Sequence, residues 1–251
     1  MIRRGLSYLL AVSMLMMVGC SLLDPDVEVA PIGESQFVGL EANLMAYYPF
    51  SGSAADESGW GNHGTPQGPI LVPDRYGTPD SAYWFDGAND VIQVLSQRSL
   101  EIVGPITLAA WVRPEATKTQ EVLVKGPRVR IDTGIGGSAS FMPYGLAFSA
   151  TGDVVFSLSP NLEATQARSH GYPTNEWFHV AGVYDGDSMM LYVDGELAAL
   201  EVVTGTLHTD SDPLLIGTRL SLPSSTFLGA IDEVRIYDRA LTEGEIRLLA
   251  Q

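Results

Sequence analysis

Apolar and polar positions alternate in short runs along most of this chain, and residues that favour turns separate the runs. The clearest stretch is Trp177-Phe-His-Val-Ala-Gly-Val-Tyr, then Asp185-Gly186, Ser188-Met-Met-Leu-Tyr-Val, Asp194-Gly195 and Glu196-Leu-Ala-Ala-Leu. Two Asp-Gly pairs between apolar runs predict tight turns and a three-stranded antiparallel meander. Within it Met189, Leu191 and Val193 share one face, with Met190 and Tyr192 on the other. Both faces are apolar, which predicts core on one side and a covering or binding surface on the other. Ala82-Tyr-Trp-Phe, Val91-Ile-Gln-Val, Thr107-Leu-Ala-Ala-Trp-Val, Glu121-Val-Leu-Val-Lys, Tyr144-Gly-Leu-Ala-Phe-Ser and Asp153-Val-Val-Phe-Ser-Leu read as further strands. Pro114 ends one of them, because proline cannot extend a ladder. Many short strands without strand–helix alternation indicate an all-β, two-sheet antiparallel sandwich. Phe85, Trp111, Leu191, Val193 and Ile236 are its expected core.

Helical periodicity is confined to the C-terminal end. Thr242 with Glu245 three residues later forms a capping box, and Ile246 and Leu249 give the short helix one apolar stripe.

The N-terminus is built differently. Arg3 and Arg4 precede an apolar stretch from Leu6 to Val18, too short to span a bilayer as a stable helix. Met17-Val-Gly-Cys20 follows and holds the only cysteine in the chain. A small residue before a lone cysteine at this place resembles a bacterial lipobox, although Met17 stands where leucine is usual. The alternative is an ordinary signal peptide with Cys20 incidental. The expected organisation is a lipoprotein signal at 1–19, an acylated Cys20 with a flexible tether over 20–43, and one folded domain at 44–251. The tether has an r.m.s. reach of about 25–30 Å. Ser21 after the cysteine points to the outer membrane of a Gram-negative cell envelope. Membrane attachment is expected through the lipid alone.

The net charge is −16. Removing residues 1–19 takes away Arg3 and Arg4 and moves it to −18, a surface that repels phosphate backbones and so excludes nucleic acid as a partner. A single cysteine leaves no internal disulfide, so stability must come from a large core, a metal, or both.

The last quarter of the chain, Phe227-Leu-Gly-Ala-Ile-Asp-Glu-Val-Arg-Ile-Tyr, and Ala46-Tyr-Tyr-Pro-Phe-Ser-Gly near the start carry a family likeness. With Phe85-Asp-Gly and the Val193-Asp-Gly turn between them, these motifs resemble the laminin G-like jelly rolls of the concanavalin A-like lectin and glucanase superfamily. The resemblance runs from about Leu44 to the end. It implies a jelly-roll sandwich that binds or displays more often than it catalyses. Related jelly rolls often bind calcium through a loop plus the acid of the final strand. Carried over, this suggests Asp56, Asn62 and Asp232 as ligands. Asp56-Glu-Ser-Gly-Trp-Gly-Asn-His-Gly64 supplies hard oxygens between glycines, as calcium requires. The alternatives are a surface turn in which Asp56 bonds its own backbone, and an Asp232 paired with Arg235 or Arg75.

Trp60, Tyr144, Tyr172 and Phe141 lie in loop-like surroundings and are candidates to stack on sugar rings, with Trp60 and Tyr172 read as exposed. Trp84, Trp111 and Trp177 are read as core, and His179 as a satisfied buried histidine. No catalytic residue is assigned. The paired carboxylates of a glucanase on this fold, Glu-x-Asp-x-x-Glu, are missing, and Asp232 and Glu233 should point to opposite faces of a strand. The expected function is a non-catalytic, surface-anchored module, supported by calcium, that recognises a glycan or a protein partner. A carbohydrate-active hydrolase or lyase, with carboxylates from different strands, and a structural envelope lipoprotein are the alternatives.

Overall fold

The computed structural model describes residues 39–126, 129–132, 138–209, 211–219 and 222–251. The signal, Cys20 and most of the tether expected from the sequence lie outside the described residues. The first strands are β1 (Leu44–Tyr48), β2 (Gly64–Gln67), β3 (Ile70–Val72), β4 (Ala82–Asp86), β5 (Val91–Val94), β6 (Ile106–Pro114) and β7 (Gln120–Lys125). Next come β8 (Val129–Asp132), β9 (Ser138–Phe141), β10 (Tyr144–Phe148), β11 (Asp153–Leu158) and β12 (Thr165–His170). The last are β13 (Phe178–Tyr184), β14 (Ser188–Val193), β15 (Glu196–Val202), β16 (Leu214–Ile216) and β17 (Leu228–Tyr237), followed by helix α1 (Glu243–Leu249).

Two antiparallel sheets result. The eight-stranded sheet has the order β15-β14-β13-β6-β17-β4-β3, with β1 also on β17. The seven-stranded sheet runs β12-β11-β10-β7-β16-β5-β2, and β8 pairs with β9 apart from both. The chain passes repeatedly between the two sheets, for example at β4–β5, β5–β6, β6–β7, β12–β13 and β16–β17, so the architecture is the jelly-roll sandwich expected from the sequence. The meander of β13, β14 and β15 forms as predicted, with Asp194 and Gly195 both at positive φ (49° and 80°), as its tight turn requires.

Phe85, Leu108, Phe148, Phe156, Phe178, Leu191, Ile216 and Ile236 fill the space between the sheets. Gly182 on β13 sits where a Cβ would come 2.4 Å from the Phe156 ring, so the absence of a side chain lets the sheets close there. Four of the residues read as core differ. Trp84 and Trp177 are half-buried outside the core. Val193 packs only at the core's edge, and Trp111 faces away from it. On β6, Leu108, Ala110 and Val112 point inward, so Trp111 has the opposite parity.

The outward face of the eight-stranded sheet is covered at its centre. Ala109, Ala181, Val183, Tyr192 and Tyr237 lie under Leu40, Leu241, Ile246 and Leu249. Seven residues are too few for a helix to persist alone, so docking and capping hold α1. Burying Ile246 and Leu249 contributes about 1.5–3 kcal/mol each. Thr242 Oγ1 accepts from the Glu245 N–H at 3.3 Å, and Glu245 Oε2 accepts from the Thr242 N–H at 2.8 Å. Arg239 joins Glu245 to the carbonyls of Gly39 and Ala42, closing the cover. The second apolar face of the meander is thus covered on β13 and β14, and exposed on β15 at Leu197 and Leu200.

Candidate functional site

The loop that crosses from β1 to β2 is held by Asp56, which is buried. Its Oδ1 accepts from the N–H groups of Tyr47 and Ser58, both at 2.9 Å. Its Oδ2 accepts from Ser58 Oγ at 2.9 Å and the Asn62 N–H at 2.8 Å. Asn62 is buried as well, donating from Nδ2 to the Met45 carbonyl (2.7 Å) and accepting at Oδ1 from Ser99 Oγ (3.0 Å). His63 Nδ1 accepts from the Asp56 N–H at 3.1 Å, which places the ring proton of a neutral imidazole on Nε2. Between these anchors Trp60 stands out, 58% exposed, flanked by Gly59 (φ 92°) and Gly61 (φ 75°).

Asp56 and Asn62 are brought together as expected; Asp232 does not join them. Tyr47 turns its N–H and C=O to Asp56 and Glu57, on the side of β1 away from β17, which carries Asp232. Asp232 instead faces Arg75 at 3.6 Å and accepts from the Glu233 N–H at 2.7 Å, so the pairing with Arg75 is the one formed. The side-chain oxygens of Asp56 and Asn62 are engaged by protein donors, and those of Asp232 face Arg75 and the Glu233 N–H. Among the described residues no cluster of three His, Cys, Asp or Glu side chains is placed to hold a metal.

Asp232 belongs to a polar layer on the covered sheet. The Arg75 guanidinium lies 4.3 Å from the rings of both Tyr76 and Trp111, and Trp111 meets His179 edge-on across β6 and β13. Burial, aided by Glu233, pushes the Asp232 carboxyl up to about 7. Burial, with Arg235 and Arg75 nearby, pushes His179 down to about 3. His179 is buried as expected, but its Nδ1 has no hydrogen-bond partner among the described residues. The expected alternation at Asp232-Glu233 fails. The register shifts between Asp232 and Arg235, Glu233 has φ 52°, and its carboxylate reaches Arg235 (2.5 Å) and Tyr47 OH (3.1 Å). By register Arg235 shares the outward face with Asp232.

Of the other aromatic candidates, Tyr144 is fully buried, its hydroxyl donating to the Leu100 carbonyl at 3.0 Å. It is a core residue rather than a sugar platform. Tyr172 is half-buried at the core's rim, its ring 4.4 Å from Phe148. The Phe141 side chain lies outside the described residues. Of Trp60, Tyr144 and Tyr172, Trp60 alone is freely presented.

The outward face of the seven-stranded sheet carries a site that the sequence reading missed. Asp153, Val155 and Ser157 on β11 stand opposite His170, Arg168 and Gln166 on β12. The Asp153 carboxylate is buried, and it accepts from Ser149 Oγ (2.9 Å), Thr151 Oγ1 (2.8 Å), Arg168 Nη1 (3.5 Å) and His170 Nδ1 (2.6 Å). The bonds from Thr151 and Ser149, then His170, hold the carboxyl down at about 2. Arg168 also donates to Gln166 Oε1, and Gln166 donates to Ser157 Oγ at 3.0 Å. Gln166, Arg168 and His170 are all exposed, His170 with 90% of its side chain. On the same face Glu121 is buried and paired with Arg219 at 2.5 Å. Burial overrides that pairing and pushes its carboxyl up to about 7. A two-residue alternation of Gln, Arg and His was the one available signal for β12.

Comparison with known proteins agrees with this architecture. The family model described as the concanavalin A-like lectin/glucanases superfamily matches residues 86–247. No curated protein matches the chain. Among solved structures, domain 4 of AbnA, a GH43 extracellular arabinanase from Geobacillus stearothermophilus, in complex with arabinotriose, is similar with a TM-score of 0.64. It has 21% identity, over 83% of this chain and 98% of that one. The binding domain of Paraclostridial Mosquitocidal Protein 1 gives 0.65 at 17% identity, over 84% of this chain. The botulinum neurotoxin serotype D ligand-binding domain, in complex with N-acetylneuraminic acid, gives 0.64 at 15%, over 86%. The chain spans 52% of each of these two toxin chains. At these identities the likeness is one of fold, and the family match, over more than half the chain, gives the assignment: the protein belongs to the concanavalin A-like lectin/glucanase superfamily.

Proposed function

We propose that the domain is a non-catalytic binding module that takes a glycan on the outward face of its seven-stranded sheet, at the β11–β12 end. One observation carries this reading. On the other sheet α1 and its flanks cover the centre of the outward face and leave an apolar edge at Leu197 and Leu200, whereas here the polar side chains Gln166, Arg168 and His170 stand exposed, with Arg168 and His170 bonded to a buried carboxylate. Held donors and acceptors lose little freedom on binding, which favours recognition of hydroxyl-rich ligands. The arabinanase domain and the serotype D toxin domain were solved with a bound sugar, which supports a glycan over a protein ligand.

The two carboxyls with pKa values pushed apart on this face, Glu121 and Asp153, do not read as an acid–base pair. Glu121 is buried against Arg219, and Asp153 is buried and engaged by four donors. The proposal keeps acylated Cys20 and the 20–43 tether, on the sequence alone, as the device that holds the module at an outer-membrane surface. Cys20→Ala tests the anchor, since unchanged processing and membrane association would refute it. A glycan array, run beside a reducing-sugar release assay on every hit, tests the function. Binding without release is the expected result. Turnover supports the enzyme instead, and silence on all glycans leaves a protein partner or a structural role.

A further inference from the structure

We propose that the ligand of this face is an acidic sugar, with Arg168 holding its carboxylate and His170 Nε2 receiving a neighbouring hydroxyl. The inference rests on the glycan reading above and adds the chemical class. Among the described residues Asp153 is the only anion in the β11–β12 cluster, and it is buried, with three donors on Oδ2 and His170 on Oδ1. An incoming glycan therefore meets donors. Arg168 has five N–H groups and spends two, on Asp153 and Gln166, leaving three on a side chain 45% exposed; a guanidinium suits a carboxylate.

The role of His170 follows from its partner. Nδ1 lies 2.6 Å from an oxygen of Asp153, whose carboxyl is held at about 2 and is ionised, so Nδ1 carries the proton. In the Nδ1–H tautomer Nε2 is an acceptor, on a side chain 90% exposed. A carboxylate donor and a hydroxyl acceptor two residues apart on one strand match a sugar acid, which carries both groups on one ring.

Charge points the same way. The chain carries −16 overall and repels anions generally, yet here Arg168 offsets Asp153 and no further described acid joins the cluster. An anionic sugar that avoids the rest of the surface is admitted at this edge. Uronic and sialic acids share the chemistry, and the test separates them.

The test is calorimetric titration of the full chain in detergent with trigalacturonate, its carboxyl-reduced counterpart, 3′-sialyllactose and lactose. At least one acidic ligand is expected to bind about tenfold or more tightly than its neutral partner. Which of the two binds names the source of the carboxylate. Arg168→Gln should erase the preference, Arg168→Lys should restore part of it, and His170→Ala should weaken both members of a pair. Unchanged melting temperatures of the variants exclude unfolding as the cause. Equal binding of acidic and neutral ligands, or a preference that survives Arg168→Gln, overturns the inference and leaves the glycan reading standing. Binding of no saccharide here or on the array overturns both.

Discussion

Nδ1 of His170 lies 2.6 Å from Oδ1 of Asp153 across the β11–β12 pair, so a buried carboxylate on one strand sets the orientation of an exposed imidazole on the next. The same carboxylate reaches Arg168 through its other oxygen. Asp153 is thus a positioning residue, acting on ligand through two others.

Asp153→Asn keeps the shape but replaces an oxygen that accepts from three donors with an amide that donates. Arg168 and His170 should lose their fixed orientations, and glycan affinity should fall several-fold while the circular dichroism spectrum stays β-type. The His170 ring should also change tautomer or mobility in nitrogen-detected NMR. An unaltered imidazole spectrum would show that Asp153 does not control the ring.

Asp56→Ala removes the acceptor for four hydrogen bonds at once: the N–H groups of Tyr47, Ser58 and Asn62, and the Ser58 hydroxyl. Leaving part of that set unsatisfied should cost about 2–4 kcal/mol. For a domain of this size the melting temperature should drop by roughly 5–15 °C. A drop of under about 1 °C would mean that the loop is held by something else.

Calcium addition separates the hydrogen-bonded loop from a metal site. Extracellular sites with Kd near 10⁻⁴–10⁻³ M would give about 1.4–2.7 kcal/mol at ~10 mM calcium, a rise of roughly 3–10 °C. With the oxygens of Asp56 taken and Asp232 on Arg75, no such rise is expected. A rise abolished by Asp56→Ala but retained by Asp232→Ala would place a cation in the loop after all.

Asp232 makes stability depend on pH in an uncommon direction for an acid. Its carboxyl stands at about 7 when folded, because burial disfavours the charge, against 3.8 unfolded. Its contribution is therefore complete below the unfolded value and is lost as pH rises through about 7. Glu121, raised to about 7 by burial, acts with the same sign. Asp153 and Glu245, both lowered to about 2, act oppositely, but their effect is complete by about pH 5. Denaturant unfolding should show wild type losing about 1–3 kcal/mol from Asp232 between pH 5 and 8, and Asp232→Asn should lose correspondingly less. Parallel profiles for the two proteins would place the titration elsewhere.

Much of the fold was legible in the sequence. The Asp-Gly turns marked the β13–β14–β15 meander, and Thr242 with Glu245 marked the helix start, because both signals are local. The apolar outer face of β14 announced a cover, though not that α1 would provide it. Strand β12 stayed hidden because Ala167 is the one apolar residue of Thr165–His170, with Thr165 and Ser169 beside it on the inward face, so the segment reads as loop. That strand holds the proposed ligand side chains. Trp111 was misplaced because β6 is apolar on both faces and parity alone does not say which face is the core. The partner of Asp232 lies on a loop far away in sequence, beyond any local pattern.

The central claim is that glycan binds on the outward β11–β12 face, and hydrogen exchange measured with and without the best array ligand tests it most directly. The account predicts slowed exchange in β11, β12 and the Ser149–Asp153 turn, with the Trp60 loop and α1 unchanged. Protection centred on the Trp60 loop, with β11 and β12 unaffected, would contradict it.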